Sequence, residues 1–175
     1  DKQRPVNITE GRSMQEYLAE QLRYRNLSDR DMRIAEFLVG SIDEDGYLRR
    51  DLDSISDDIA FSLGIEVAPD ELERVLGIIH QLEPAGIGAR NLQECLLLQM
   101  RLRRMDSPAK RLARKIVTSY FEEFVKKHYE KLMSRLGVGE EEFRDAIEEI
   151  RHLSPKPGNL YSEGGMDTTP YIIPD

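Results

Sequence analysis

The sequence predicts an all-α fold of two helical sub-bundles, each containing a helix-turn-helix-like pair, followed by an extended linker. Three observations carry this. Apolar residues recur at three- and four-residue spacing along almost the whole chain. No stretch alternates apolar and polar residues for the length of a strand. Clusters of Gly, Pro, Ser and Asp separate the periodic runs.

Ser13 is the first expected N-cap, opening a helix with Met14, Leu18 and Leu22 on one face and Tyr17 and Tyr24 alongside. Ser28 caps a second, which carries Met32, Ile34, Ala35, Phe37, Leu38, Val39 and Ile42 and is apolar enough all round to be central. Asp43-Glu44-Asp45-Gly46 reads as a turn. A third helix repeats Leu52, Ile55, Ile59 and Leu63 and stops at Gly64. A fourth starts at Pro69 and runs through Leu72, Val75, Leu76, Ile79 and Leu82.

Glu83-Pro84-Ala85-Gly86-Ile87-Gly88 interrupts the periodicity, and Asn91 then caps a fifth helix through Leu92, Cys95, Leu96, Leu98 and Leu102. Asp106-Ser107-Pro108 is the clearest internal boundary. Beyond it, Leu112 to Leu136 holds an apolar stripe without Gly or Pro, compatible with one long helix or two. Gly137 and Gly139 end that run, and a last helix holds Phe143, Ala146, Ile147, Ile150 and Leu153. The expected division is an extension over 1–12, a first sub-bundle over 13–105, a second over 106–158 and a linker over 159–175 that includes Tyr171-Ile172-Ile173.

Two segments repeat one another. LGIEVAPDELERVLGIIHQLEPAG begins at Leu63 and LGVGEEEFRDAIEEIRHLSPKPG at Leu136. Leu72, Val75, Ile79 and Leu82 in the first match Phe143, Ala146, Ile150 and Leu153 in the second. Both enter on Leu-Gly-apolar and leave on Leu-x-Pro, which predicts a tight glycine turn before each second helix.

The 175 residues hold 25 Lys and Arg against 33 Asp and Glu, a formal charge of −8. The charge is unevenly spread: −9 over residues 1–100, +7 over 101–135 and −6 over 136–175. No apolar run approaches the roughly 18 residues of a membrane span, and no signal-peptide layout is present, so neither is expected. The lone Cys95 excludes a disulfide framework and points to a reducing, cytoplasmic setting.

Catalytic and metal motifs fail on spacing. The twelfth position of a calcium loop starting at Ser41 is Leu52, where a bidentate Glu is required. Gly86-Ile87-Gly88 has Asn91 where a dinucleotide loop needs its third Gly, and a helix precedes it. His80, His128 and His152 lack paired ligand spacing. No enzyme activity and no cofactor are expected.

The Gly turns invite a DNA-reading interpretation, with Ala60 four residues before Gly64. The charges oppose it. One second helix carries Asp70, Glu71 and Glu73 against Arg74; the other carries Glu140, Glu141, Glu142, Asp145, Glu148 and Glu149 against Arg144. Duplex phosphates, one per about 1.7 Å, repel such faces. The basic contact candidates lie elsewhere: Arg101, Arg103, Arg104, Lys110, Arg111, Arg114 and Lys115. They either meet phosphates or an acidic protein surface, or pair with the acidic flanks of the same chain.

LEPAGIGARNLQECLLLQM (82–100) resembles the signature of the core-binding region of bacterial sigma-54 factors, the RNA polymerase specificity subunits that depend on an ATP-driven activator. SMQEYLAEQLRYRNLSDRD (13–31), IAEFLVGSIDEDGYL (34–48), IRHLSPKPGNL (150–160) and TTPYIIPD (168–175) agree in order and spacing. The extra residues before Pro69 depart from the symmetry of the repeat by lengthening its first turn.

The resemblance implies a two-part helical module that binds core RNA polymerase subunits. It also implies a fragment, with the activator-receiving N-terminal region and the promoter-DNA-reading regions outside it. Pro84, Gly86, Ile87, Gly88 and Arg90 become polymerase-binding or architectural candidates, Arg90 being the one charged side chain there able to bond bidentately. A stand-alone helix-turn-helix DNA regulator and a helical adaptor for another protein are the alternatives.

Overall fold

The computed structural model describes residues 13–162, which form ten helices and no strand. The extension over 1–12 and Tyr171-Ile172-Ile173 lie outside the described residues.

Helix α1 (Met14–Arg23) begins as the sequence predicts: Ser13 Oγ accepts from the Glu16 N–H at 3.0 Å, and Glu16 accepts from the Ser13 N–H at 3.1 Å. Ser28 caps α2 (Asp29–Gly40), whose Ile34, Ala35 and Leu38 are fully buried. Asp51, an unanticipated cap, starts α3 (Leu52–Leu63), and α4 spans Pro69–Ile79. Helix α2 lies between α1 and α4, and α3 packs against α2 and α4. Their inward faces make one buried cluster from Leu18 to Ile87.

A second cluster joins Ala113, Ile116 and Val117 of α6 (Pro108–Ser119) to Phe143, Ala146, Ile147 and Ile150 of α9 (Glu140–Arg151). Asn91 caps α5 (Leu92–Arg101), and α5 adds its own Leu96 and Met100 to this second cluster. By sequence, α5 stood with the first sub-bundle. Cys95 and Leu98 of α5 pack instead with Tyr47 and Ala89 in a small third cluster, so α5 lies between the second cluster and this third one, ahead of the Asp106-Ser107-Pro108 boundary.

The Leu112–Leu136 stretch is three helices: the end of α6, then α7 (Phe121–Val125) and α8 (Tyr129–Leu136). The second break falls at Lys127, whose φ of +62° is left-handed without glycine. The bend lines up Phe121, Phe124, Tyr129 and Phe143, with successive ring centroids 6.1, 6.5 and 5.4 Å apart.

Both repeats turn as expected. Gly64 and Gly137 are left-handed C-caps with φ of +68° and +70°. The stretch after Pro155 begins as a helix, α10 (Pro157–Ser162), seated beside α1. The Gly158 N–H donates to the Asp45 carbonyl at 2.9 Å, and a Cβ on Gly158 would lie 2.0 Å from the Glu44 carbonyl oxygen. Only glycine fits there.

Candidate functional site

The Pro84–Arg90 turn gives Ile87 to the first cluster and Ala89 to the small third cluster with Tyr47, Cys95 and Leu98. It follows a cis Glu83–Pro84 bond and closes on itself, Ile87 N–H to Pro84 O at 3.1 Å and Ala89 N–H to Gly86 O at 3.2 Å. It then lies against the Gly46–Leu48 strip. The Gly88 N–H donates to Gly46 O at 2.8 Å and the Leu48 N–H to Ala89 O at 2.9 Å. Gly86 and Gly88 have φ of +93° and +82°; a Cβ on Gly86 would come 3.0 Å from Cys95 Sγ, and on Gly88 3.0 Å from an Ile79 methyl. Gly86, Ile87 and Gly88 are buried, while Pro84 and Arg90 are half-exposed. The three buried candidates are packed between the Gly46–Leu48 strip and the helices on either side of the turn.

Arg90 does bond bidentately, to its own chain. Its Nε and Nη2 donate to Glu94 at 3.0 and 2.7 Å, and Nη1 to Glu73 at 3.1 Å. Burial opposes ionisation of Glu94, but the Arg90 side chain and backbone N–H outweigh it and hold the carboxyl below its ordinary value. Burial lowers the His80 imidazole, whose Nε2 lies 3.0 Å from the Gly88 carbonyl oxygen. The neutral ring then carries its proton on Nε2 and donates it there.

Sequence reasoning missed the residues that bind the other side of the joint. Tyr47 O–H donates to Pro155 O at 2.6 Å, and Gln99 bonds both backbone groups of Ser154. Burial pushes the Tyr47 phenol and the Cys95 thiol up, so both stay protonated at neutral pH. The available signal was Gln99 itself, a polar residue in the run Leu96-Leu97-Leu98-Gln99-Met100. A buried amide there requires partners.

Asp43 is engaged within its own turn. Its Oδ1 accepts from the Asp45 and Tyr47 N–H groups at 3.0 Å each, and Oδ2 pairs with Arg49 at 2.7 Å. No cluster of three potential metal ligands occurs among the described residues.

The basic candidates are at the surface. Arg101, Arg103 and Arg104 run from the end of α5 into the following loop, around Leu102, which is 74% exposed. Arg114 and Lys115 are exposed on α6. Lys110 pairs with Asp106 at 3.1 Å, and Arg111 Nη1 donates to Met105 O at 3.2 Å. Arg103, Arg104, Arg114 and Lys115 form no ion pair with another described residue, so the described part of the acidic flanks does not consume them. Beside them a groove of about 670 Å³ is lined by Leu112 and Val138 together with Arg111, Lys115, Glu142 and Asp145.

The second helices of the repeats keep their acidic character. Glu71 and Arg74 of α4 are tied to Arg30 and Asp31 of α2, at 2.6 and 2.9 Å. On α9, Glu140, Glu141, Glu142, Asp145 and Glu148 are all exposed.

Residues 5–175 match the family described as "Sigma-54 factor, core binding domain". The chain belongs to the sigma-54 core-binding family. Curated relatives, each named RNA polymerase sigma-54 factor, agree with that assignment. The one from Pseudomonas aeruginosa is 40% identical over 170 residues, covering 97% of this chain and 33% of its own length. Those from Bacillus subtilis and Salmonella typhimurium are each 34% identical, covering 94% and 93% of this chain and 35% and 33% of their own. The chain thus spans about a third of these sigma-54 relatives. No described helix is long and apolar enough to cross a membrane.

Proposed function

We propose that this chain is a non-catalytic docking module that holds a sigma-54-type transcription factor on core RNA polymerase. The observation that carries the reading is the family match across residues 5–175, in a helical body whose second helices are acidic. Those helices are repelled by a duplex, so attachment runs through protein surface. The factor's promoter-DNA contacts and its response to an ATP-driven activator belong to regions outside this chain.

Within the module the roles divide. Gly86, Ile87 and Gly88, with the Arg90–Glu94 pair, set the angle between the helix clusters. Arg101, Arg103 and Arg104 present unneutralised charge around Leu102, and Arg114 and Lys115 add more on α6, a pattern of apolar anchor and charge that suits an acidic protein surface. Lys110 and Arg111 brace the loop between them.

A pull-down with purified core polymerase tests the reading. Capture by the wild-type chain at low salt is expected, and absence of capture contradicts it. A gel shift with duplex DNA separates the helix-turn-helix regulator: sequence-selective binding by this chain alone favours that reading. An adaptor for another protein would give a stable fold with neither activity.

A further inference from the structure

Phe61 on α3 is 92% exposed, the most open large apolar side chain among the described residues. It lies off the stripe Leu52, Ile55, Ile59 and Leu63 that α3 turns toward α2 and α4. Its neighbours leave the ring approachable: Ala60 and Ser62 are small and exposed, and a Cβ added at Gly64 would meet nothing within 4 Å. Tyr at such a site would keep a polar tip for water; Phe has none.

The charge on the same face has one sign. Asp57 and Asp53 stand four and eight residues before Phe61, one and two helical turns along, and both are exposed. Neither is in an ion pair with a described residue, whereas Asp58, on the adjoining edge, is neutralised by Arg50. Scattered exposed apolar residues are ordinary on protein surfaces. Asp53 lies in the first turn of α3, where the helix N-terminus already favours a carboxylate, whereas Asp57 is mid-helix. An isolated aromatic ring one turn beyond such an unpaired carboxylate is a more particular arrangement: an apolar anchor flanked by negative charge.

We infer that the outer face of α3, centred on Phe61 with Asp53 and Asp57, is a second docking surface, and that its occupant is a basic protein segment with an apolar pocket for the ring. The complementarity is direct. Lys or Arg side chains of the partner meet Asp53 and Asp57, and a guanidinium can also lie over the Phe61 face. Nucleic acid is excluded as occupant by the same carboxylates. This surface differs in sign from the basic one around Leu102, so the module would grip its partner at two points of opposite charge, which fixes orientation as well as affinity. The inference rests on the polymerase-docking reading, since it takes the basic segment to belong to a core polymerase subunit.

The test uses the 175-residue chain, purified core polymerase and two variants, Phe61→Ser and the double change Asp53→Lys, Asp57→Lys. The Phe61 ring is packed on nothing, so Phe61→Ser should leave the circular dichroism spectrum and melting temperature of the chain unchanged. Polymerase affinity should fall at least tenfold for Phe61→Ser. For the double variant it should fall at least threefold, with a shallower salt dependence. Wild-type binding with Phe61→Ser within twofold of it overturns this surface and leaves the docking reading standing. Failure of the wild-type chain to bind overturns both. If Phe61→Ser instead converts a sedimenting dimer of the chain to monomer, the face belongs to a second copy, and the inference is overturned.

Discussion

Gln99 holds Ser154 through both of its backbone groups. The amide nitrogen donates to the Ser154 carbonyl at 2.6 Å, and the amide oxygen accepts from the Ser154 N–H at 2.8 Å. The first repeat has a counterpart. Gln21 donates to Glu83 O at 2.7 Å and accepts from the Glu83 N–H at 2.9 Å. Glu83 and Ser154 are the middle residues of the two Leu-x-Pro exits. In both repeats, a glutamine from another helix therefore satisfies the chain just as its helix ends.

The two clamps differ in burial, and that difference sets the cost of breaking them. Gln99 and Ser154 are 7% and 4% exposed, so Gln99→Leu strands two backbone groups away from water. Urea unfolding should show a loss of about 2–4 kcal/mol. Gln21 and Glu83 are at the surface, where water replaces the lost bonds, and Gln21→Leu should cost less than about 1.5 kcal/mol. Equal losses would show that burial of the clamp is irrelevant.

Three glycines separate backbone strain from steric contact. Gly64→Ala meets open space at φ +68° and should lose about 1–2 kcal/mol from conformation alone. Gly88→Ala adds a 3.0 Å contact with Ile79 at φ +82° and should lose more. Gly158→Ala puts a methyl 2.0 Å from Glu44 O; it should release α10 from the Asp45 turn, seen as faster exchange of the backbone amide at position 158 than in the wild type.

The joint should weaken in mild acid. Burial lowers His80, so the unfolded chain takes up a proton before the folded chain does. The stability this group contributes is complete above the ordinary imidazole value of 6.5 and falls as the pH drops below it. Glu94 and Asp31 are both held below their ordinary values, Asp31 chiefly by Arg74. Their contributions are present above the ordinary values of 4.5 and 3.8 and are lost as acid reaches their lower folded-state values. Melting temperatures of wild type and His80→Gln from pH 7.5 to 5 should converge as the pH falls; parallel curves would contradict this.

Reversing Arg103, Arg104 and Arg114 to Glu removes no ion pair with a described residue. Chain stability should change by less than about 0.5 kcal/mol, while polymerase affinity and its salt slope should both fall. A large loss of stability would return these residues to a structural role.

Much of this was legible because local chemistry decided it. Ser13, Ser28, Asn91 and Ser107 each cap the helix they announce, and Gly64 and Gly137 take the left-handed turn that their shared context requires. What escaped was decided at a distance. Lys127 adopts a glycine-like φ at the bend that brings Phe124 and Tyr129 together, with no glycine to announce it. Gly158 and Gln99 answer to partners 113 and 55 residues away, Asp45 and Ser154, which periodicity cannot report. The glycines of the Pro84–Arg90 turn were legible as special, but the sequence could not tell a contact from a joint. Gly86, Ile87 and Gly88 are buried, which favours the joint.

The most direct measurement is a side-by-side fluorescence anisotropy titration of the labelled chain with core RNA polymerase and with promoter duplex, at one salt concentration. Saturable binding to polymerase at concentrations where the duplex gives no signal is the predicted result. Tight duplex binding without any polymerase signal would contradict a module that attaches through protein surface.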